Sequence, residues 1–319
     1  MFTSGGSEAI AAAVRGVCDR APSDRRRIVV SSVEHPAVMH SAELAARRGF
    51  AVVVVPCDAD GRVDLERFEM HLGDDVALAA LQWANHETGV VQPVEEAGRA
   101  CRRAGVPFVV DAVQAAGKIP LDPKRACADL LALSAHKIGG PQGAGALVVR
   151  RGIVLAPLIG GMQERRRRGG TPAVAALAGF GAAADAAIAG MPGDSRRLLR
   201  LRARLESRIR ELGDGVRIQG QTAPRLPNTV NFFVPALPGE ALVIALDLAG
   251  FAASTGSACS SGSVEPSHVL RAMGLGDEAA RGAVRLSLGW STLREEVERF
   301  VEALPGVVEQ VREGLVVPE

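Results

Sequence analysis

The sequence predicts an α/β protein: a mainly parallel sheet covered by helices on both faces, followed by a smaller α+β unit. Three observations carry this. Short apolar or β-branched runs alternate with helix-patterned stretches from Ile28 to Val149. Several of those runs are apolar throughout, as strands buried on both faces are. After Arg150 the alternation stops and long helical patterns take over.

In chain order, a helix is expected over Ser7–Cys18, with glycines and hydroxyls directly ahead of it. Strands follow at Ile28–Val33, Ala51–Val55, Ala77–Leu81, Phe108–Val110, Leu130–Leu133 and Gly145–Val149, and helices at Ala37–Arg48, Leu65–His71 and Val94–Ala104. The runs AVVVV (51–55) and FVV (108–110) read as buried central strands. Ala173–Gly190 and Asp194–Leu212 read as two long helices, separated where Met191-Pro192-Gly193-Asp194 breaks the pattern. In the second, Leu198, Leu201, Leu205, Ile209 and Leu212 share a face, with Asp194 to cap its start and Gly213 its end. The smaller unit reads as strand Thr229–Val234, helix Gly239–Ala249, strand Ala283–Leu288 and a final helix from about Thr292. The expected domains are therefore 1–192 and 193–319.

A chain of 319 residues buries an ample core without disulfides or metals. With 37 basic and 36 acidic side chains its net charge is +1, which gives no case for nucleic acid or membrane as a partner. The five cysteines are odd in number and show no CxxC spacing, which argues against a zinc knuckle, a thioredoxin-like motif or a disulfide scaffold. The start, MFTSGGSEAI, has no basic segment leading into an apolar one, so the expected location is the cytoplasm. Residues 173–190 are mostly alanine and glycine and include Asp185, which reads as a buried or interface helix rather than a membrane span.

In open α/β sheets ligands bind beyond the carboxyl ends of the strands, so polar residues directly after strands matter most. Gly5, Gly6 and Ser7 open a helix whose free N–H groups suit a phosphate; an ordinary capped surface loop has the same appearance. Asp111 closes an apolar strand, where a carboxylate needs a partner: a protonated pyridine nitrogen, or neighbouring backbone N–H groups. Lys137 follows the run Leu130–Leu133 in Ser134-Ala135-His136-Lys137. A lysine there is often a snorkelling surface residue, yet a desolvated neutral amine condenses with an aldehyde, and Ser134 and His136 add phosphate donors. Only Lys118 and Lys124 compete, and both flank a Pro-containing turn that reads as exposed. Cys259 sits in a run of small polar residues, 254–263, with nothing to build a core around it, unlike Cys18, Cys57, Cys101 and Cys127. That marks it as a candidate nucleophile. Arg285 alternates with buried neighbours and suits a substrate carboxylate. The run Arg165–Arg168 reads as a solvated surface or an anion attractor.

In order along the chain, FTSGGSEA, EHPAV, NHETGVVQP, DAVQAAGKIPLD, SAHKIGGPQGAGAL, ERRRRGGTPAV, STGSACSSGSVEPSHVLRAMGL and VRLSLGWST resemble the NifS/IscS-type cysteine desulfurases, pyridoxal-phosphate-dependent members of the class V aminotransferase group. The resemblance spans nearly the whole chain. It implies a large domain with a mainly parallel seven-stranded sheet of the aspartate-aminotransferase type and a smaller α+β domain carrying the cysteine loop.

The resemblance also implies the following roles. Lys137 holds the pyridoxal phosphate covalently, Asp111 pairs with its pyridine nitrogen, and His35 stacks on the ring and moves protons. Asn85 and Gln114 approach the ring substituents and phenolic oxygen; Gly6, Ser7, Ser134 and His136 cradle the phosphate. Thr171 reaches the phosphate of the other subunit of a homodimer. Arg285, with Asn231, grips the α-carboxylate of L-cysteine, and Cys259 takes its sulfur as a persulfide, leaving L-alanine. The acceptor is expected to be an iron–sulfur scaffold or similar protein. No metal is expected. Family members carry further chain ahead of the FTSG motif, so the domain is expected to be N-terminally short. Gly6-Ser7 replaces the usual Ala-Thr, and His86 replaces a second Asn. A selenocysteine lyase, another class V lyase or aminotransferase, and a non-catalytic family member remain alternatives at this stage.

Overall fold

The computed structural model describes residues 1–255 and 266–315. The chain divides into two compact units, one formed by 1–58, 62–86 and 91–191, the other by 59–61, 87–90 and 192–319.

The first unit is a seven-stranded sheet. Its strands are β1 (Phe2–Thr3), β2 (Arg27–Ser31), β3 (Ala51–Val55), β4 (Val76–Gln82), β5 (Phe108–Asp111), β6 (Leu130–Ser134) and β7 (Gly145–Val149), in the order β1-β7-β6-β5-β4-β2-β3. Strands β3, β2, β4, β5 and β6 run parallel, and β7 is antiparallel to both β6 and β1. Helices α1 (Gly6–Cys18), α2 (Pro36–Ala46), α3 (Leu65–Met70) and α4 (Val94–Arg103) supply the crossovers. On α1 the residues Ile10, Ala13, Val14 and Val17 face the sheet and pack in one core with Ile28, Leu78, Leu130 and Leu147. Each such aliphatic side chain contributes about 2 kcal/mol by leaving water.

Two expectations are corrected here. The AVVVV run is not central: β3 is an edge strand, and of its residues only Val55 is buried. β-Branched residues suit an edge backbone as well as an interior one, so an apolar run alone does not report its place in the sheet. The FVV run does lie inside, in β5, between β4 and β6. The second correction concerns the break at 191–194. A short turn α5 (Gln163–Arg166) is followed by one helix, α6 (Val174–Arg210), which passes straight through Pro192. Asp194 is therefore an interior residue that pairs with Arg197 at 3.2 Å, not a cap. Alanine-rich sequence before the proline and leucine- and arginine-rich sequence after it hold the helix across the missing N–H. The apolar first part of α6 is not buried either: it has the length and composition of a membrane span, yet only 6% of its most apolar stretch is buried.

The second unit is an antiparallel sheet of β8 (Arg217–Ile218), β9 (Thr229–Phe233), β10 (Ser254–Thr255) and β11 (Ala283–Ser287), in the order β10-β11-β9-β8. Helices α7 (Gly239–Leu248), α8 (His268–Ala272), α9 (Asp277–Gly282) and α10 (Arg294–Leu315) accompany it. Leu201, Leu205 and Ile209 of α6 share its core with Phe232, Val284, Phe300 and Leu304.

Candidate active site

Val113, just beyond the carboxyl end of β5, and Ser134, the last residue of β6, lie against Gly6 at the N-terminus of α1. Gly5 caps that helix without any side-chain hydrogen bond, so first-turn N–H groups remain available. The approach is tight. A Cβ on Gly6 would lie 2.7 Å from Val113 Cγ2, and one on Gly145 would lie 2.6 Å from the backbone of Gly5. Glycine at both places lets the loop lie against β5 and β7. Beside it, Ser134 Oγ and His136 Nδ1 are 2.9 Å apart. Burial, then the charge of Lys137, pushes the His136 imidazole below its usual range, which favours a neutral ring. Ser7 is exposed on the first turn. Helix dipole, free N–H groups and hydroxyls together make an anion cradle.

Glu8 fixes this loop. It accepts the Ser4 N–H at 2.8 Å and is gripped by Arg168 at 2.9 and 3.3 Å. Burial pushes its carboxyl upward, but those bonds outweigh it and hold the group below the usual range. Arg168 is thus neither solvated nor an open anion attractor, whereas Arg165 and Arg166 are exposed in left-handed backbone. Thr171 is exposed.

Asp111 ends β5. The one hydrogen bond to its carboxylate among the described residues comes from Val113 N–H, at 2.9 Å. Burial raises the group to about 6. An incompletely compensated carboxylate at a strand end is a fit partner for a cationic ring nitrogen. His35 caps α2 through Nδ1, which accepts the Ala37 N–H at 3.1 Å, so Nε2 is the nitrogen left to carry a proton. His86 meets the His35 ring edge-on, centroids 4.8 Å apart. Asn85, buried, donates to the Val33 carbonyl at 3.0 Å. Lys137 is exposed on a short 3-10 turn, Ala135–Ile138, directly after β6.

Two residues here escape the sequence reading. Glu34, fully buried, accepts Ser31 Oγ–H at 2.6 Å and Gln82 N–H at 2.8 Å, and burial lifts it to about 8. Lys118, read as exposed, is half-buried and donates to the carbonyl of Gln114 at 2.6 Å and its Oε1 at 3.3 Å. Burial, with the charge of Lys137, pushes it down to about 8. Adjacency to His35 and to the DAVQ segment was the available signal for each.

In the second unit Asn231 on β9 stands opposite Arg285 on β11. Asn231 is completely buried, and both of its side-chain polar atoms are without hydrogen-bond partners among the described residues. An orphaned amide is costly unless a ligand satisfies it. Cys259 lies outside the described residues. The other four cysteines are poor nucleophiles. Cys18 and Cys101 are buried, burial pushes the Cys18 thiol up to about 12 and those of Cys57 and Cys101 upward, and Cys127 is buried as well.

A mainly parallel sheet with an anion cradle, a buried carboxylate and a lysine at its strand ends suits a pyridoxal-phosphate site, and these residues fit that group. The aminotransferase class-V family matches residues 1–300, and the chain belongs to it. Within the family the chain is 42% identical to the cysteine desulfurase NifS of Azotobacter vinelandii, over 98% of this chain and 78% of NifS. It is 45% identical to a cysteine desulfurase of Cereibacter sphaeroides, over 98% of this chain and 80% of that one. A solved NifS-like protein superposes with a TM-score of 0.89 at 32% identity, covering 97% of this chain and 82% of that one.

Proposed function

We propose that this chain is a pyridoxal-phosphate-dependent cysteine desulfurase. It removes sulfur from L-cysteine, leaves L-alanine, and passes the sulfur from a persulfide on Cys259 to an acceptor such as an iron–sulfur scaffold protein. The observation that carries the reading is the meeting of the α1 N-terminus, Asp111 and Lys137 at the strand ends, in a chain about 40% identical to cysteine desulfurases.

In this reading Gly6, Ser7, Ser134 and His136 hold the phosphate, Lys137 the aldehyde carbon, and Asp111 the ring nitrogen, while Asn85 and Gln114 approach the ring. The bound cofactor supplies an electron sink for the substrate α-carbon. The chain does the rest. Asp111 keeps a negative charge on the side of the ring nitrogen. His35 fixes its Nδ1 on Ala37 and leaves Nε2 to hold or move a proton. Arg285 takes the substrate carboxylate, and the substrate supplies the polar contacts that the buried Asn231 amide lacks. Cys259, having given up its thiol proton, attacks the substrate sulfur: the S–S bond forms as the substrate C–S bond breaks. The bonding pair leaves with the substrate β-carbon, and that carbon takes up a proton to become the methyl group of alanine. Burial pushes the Cys18, Cys57 and Cys101 thiols up, which is consistent with that choice.

A homodimer accompanies this reading. The first part of α6 leaves Val174 and Ile188 about 70% exposed, an apolar face for a second copy, and exposed Thr171 lies just ahead of it. Sedimentation of the purified chain tests that element.

The test of function is sulfur release from L-cysteine, with intact-mass detection of a persulfide. Wild type is expected to gain one sulfur atom. Cys259→Ser is expected to retain cofactor but gain none, and undiminished sulfide from it would overturn the persulfide role. Competition with selenocysteine separates a lyase preference.

A further inference from the structure

We propose that Lys118 is a positioning residue for the cofactor: its ammonium fixes the Gln114 amide with oxygen toward lysine and NH2 outward, so Gln114 meets the cofactor as a donor. This rests on the cofactor reading above.

The geometry is local and specific. After β5 the chain turns through Ala112, whose carbonyl accepts the N–H groups of Ala115 and Ala116 at 3.1 and 2.9 Å. Gly117 then takes left-handed backbone, φ +70, and passes so close that a Cβ there would lie 3.1 Å from both Ala187 and Ile138. That turn brings the Lys118 side chain back over Gln114, where Nζ donates to the carbonyl at 2.6 Å and to Oε1 at 3.3 Å. An ammonium only donates, so the amide atom facing it must be the oxygen. The free pole of Gln114 is then its NH2, the group that complements a phenolic or phenolate oxygen. Without the cation the amide is free to rotate and to present its oxygen, which repels another oxygen. The same turn packs on Ile138, the neighbour of Lys137, which accounts for Lys118 lying within reach of that lysine's charge.

The test titrates cofactor-stripped full chain with pyridoxal phosphate, reading affinity and the position of the visible band, with the thermal midpoint as folding control. The variants are Lys118→Met and Lys118→Gln, both neutral, Lys118→Arg, Gln114→Leu, and Lys118→Met with Gln114→Leu. The neutral variants are expected to weaken binding about tenfold and to move the band, as loss of a charged hydrogen bond does. Lys118→Arg is expected to restore both, and the double variant to bind no worse than Gln114→Leu alone. Affinity within about twofold of wild type with an unmoved band in a folded neutral variant, or losses that multiply in the double variant, would overturn the proposal. Failure of the underlying reading looks different: the wild-type chain itself would take up no pyridoxal phosphate.

Discussion

Glu34 stands beyond the end of β2 and Asp111 is the last residue of β5, on either side of β4, and the charge of Asp111 adds to burial in keeping Glu34 neutral. The Gln82 N–H that bonds Glu34 belongs to the residue paired in register with Asp111. With Glu34 lifted to about 8 and Asp111 to about 6, the pair carries one negative charge near pH 7, on Asp111. A cationic ring nitrogen calls for one such charge, and two would repel.

Glu34→Gln is predicted to flatten the pH dependence of stability. Glu34 moves from 4.5 in the unfolded chain to about 8 in the folded one. Its contribution is therefore fully present below 4.5 and lost as pH rises through 8. Relative to wild type, the variant should gain on the order of a few kcal/mol between acid and alkaline conditions. Denaturant unfolding of the cofactor-free chain at both ends of that window checks this; parallel changes in the two proteins would contradict it.

Asp111→Asn is predicted to fold, because an amide oxygen still accepts the Val113 N–H. Turnover should fall on the order of 100-fold, as it does when a preorganised charge is removed from a reacting centre. Steady-state kinetics with L-cysteine measures it. Full activity would remove Asp111 from the mechanism.

Asn231→Leu is predicted to stabilise the chain while impairing it. The buried amide has no partner among the described residues, so an apolar residue of similar size recovers about 1–3 kcal/mol. The thermal midpoint should rise and KM for cysteine should increase. A lower midpoint would show that the amide is satisfied within the fold.

Pro192→Ala is predicted to stabilise α6 by about 1–3 kcal/mol, because the proline lacks an interior N–H and crowds the preceding turn. Urea unfolding checks the gain. No gain would mean that the proline is compensated by its surroundings.

Much of this was legible in the sequence because strand ends are chemically marked. Asp111 and Ser134 are polar residues closing apolar runs, and each is the last residue of a strand. What stayed hidden depends on neighbours far away in the chain. The valines of β3 look the same at an edge as in a centre. Pro192 looks like a stop when read without the strong helix formers on both sides. Lys118 looks exposed because the turn that carries it is set by the approach of its neighbour Gly117 to Ala187 and Ile138, which come from distant segments. The two-residue strands β1, β8 and β10 exist only by pairing with longer partners, so no local pattern announces them.

The most direct test of the central claim, that Lys137, Asp111 and the α1 N-terminus form a pyridoxal-phosphate site, is the absorption spectrum of the purified chain beside that of Lys137→Ala. The account predicts a visible band in the wild type that is lost in the variant and altered when L-cysteine is added. A wild-type chain without that band, even after pyridoxal phosphate is supplied, would contradict it.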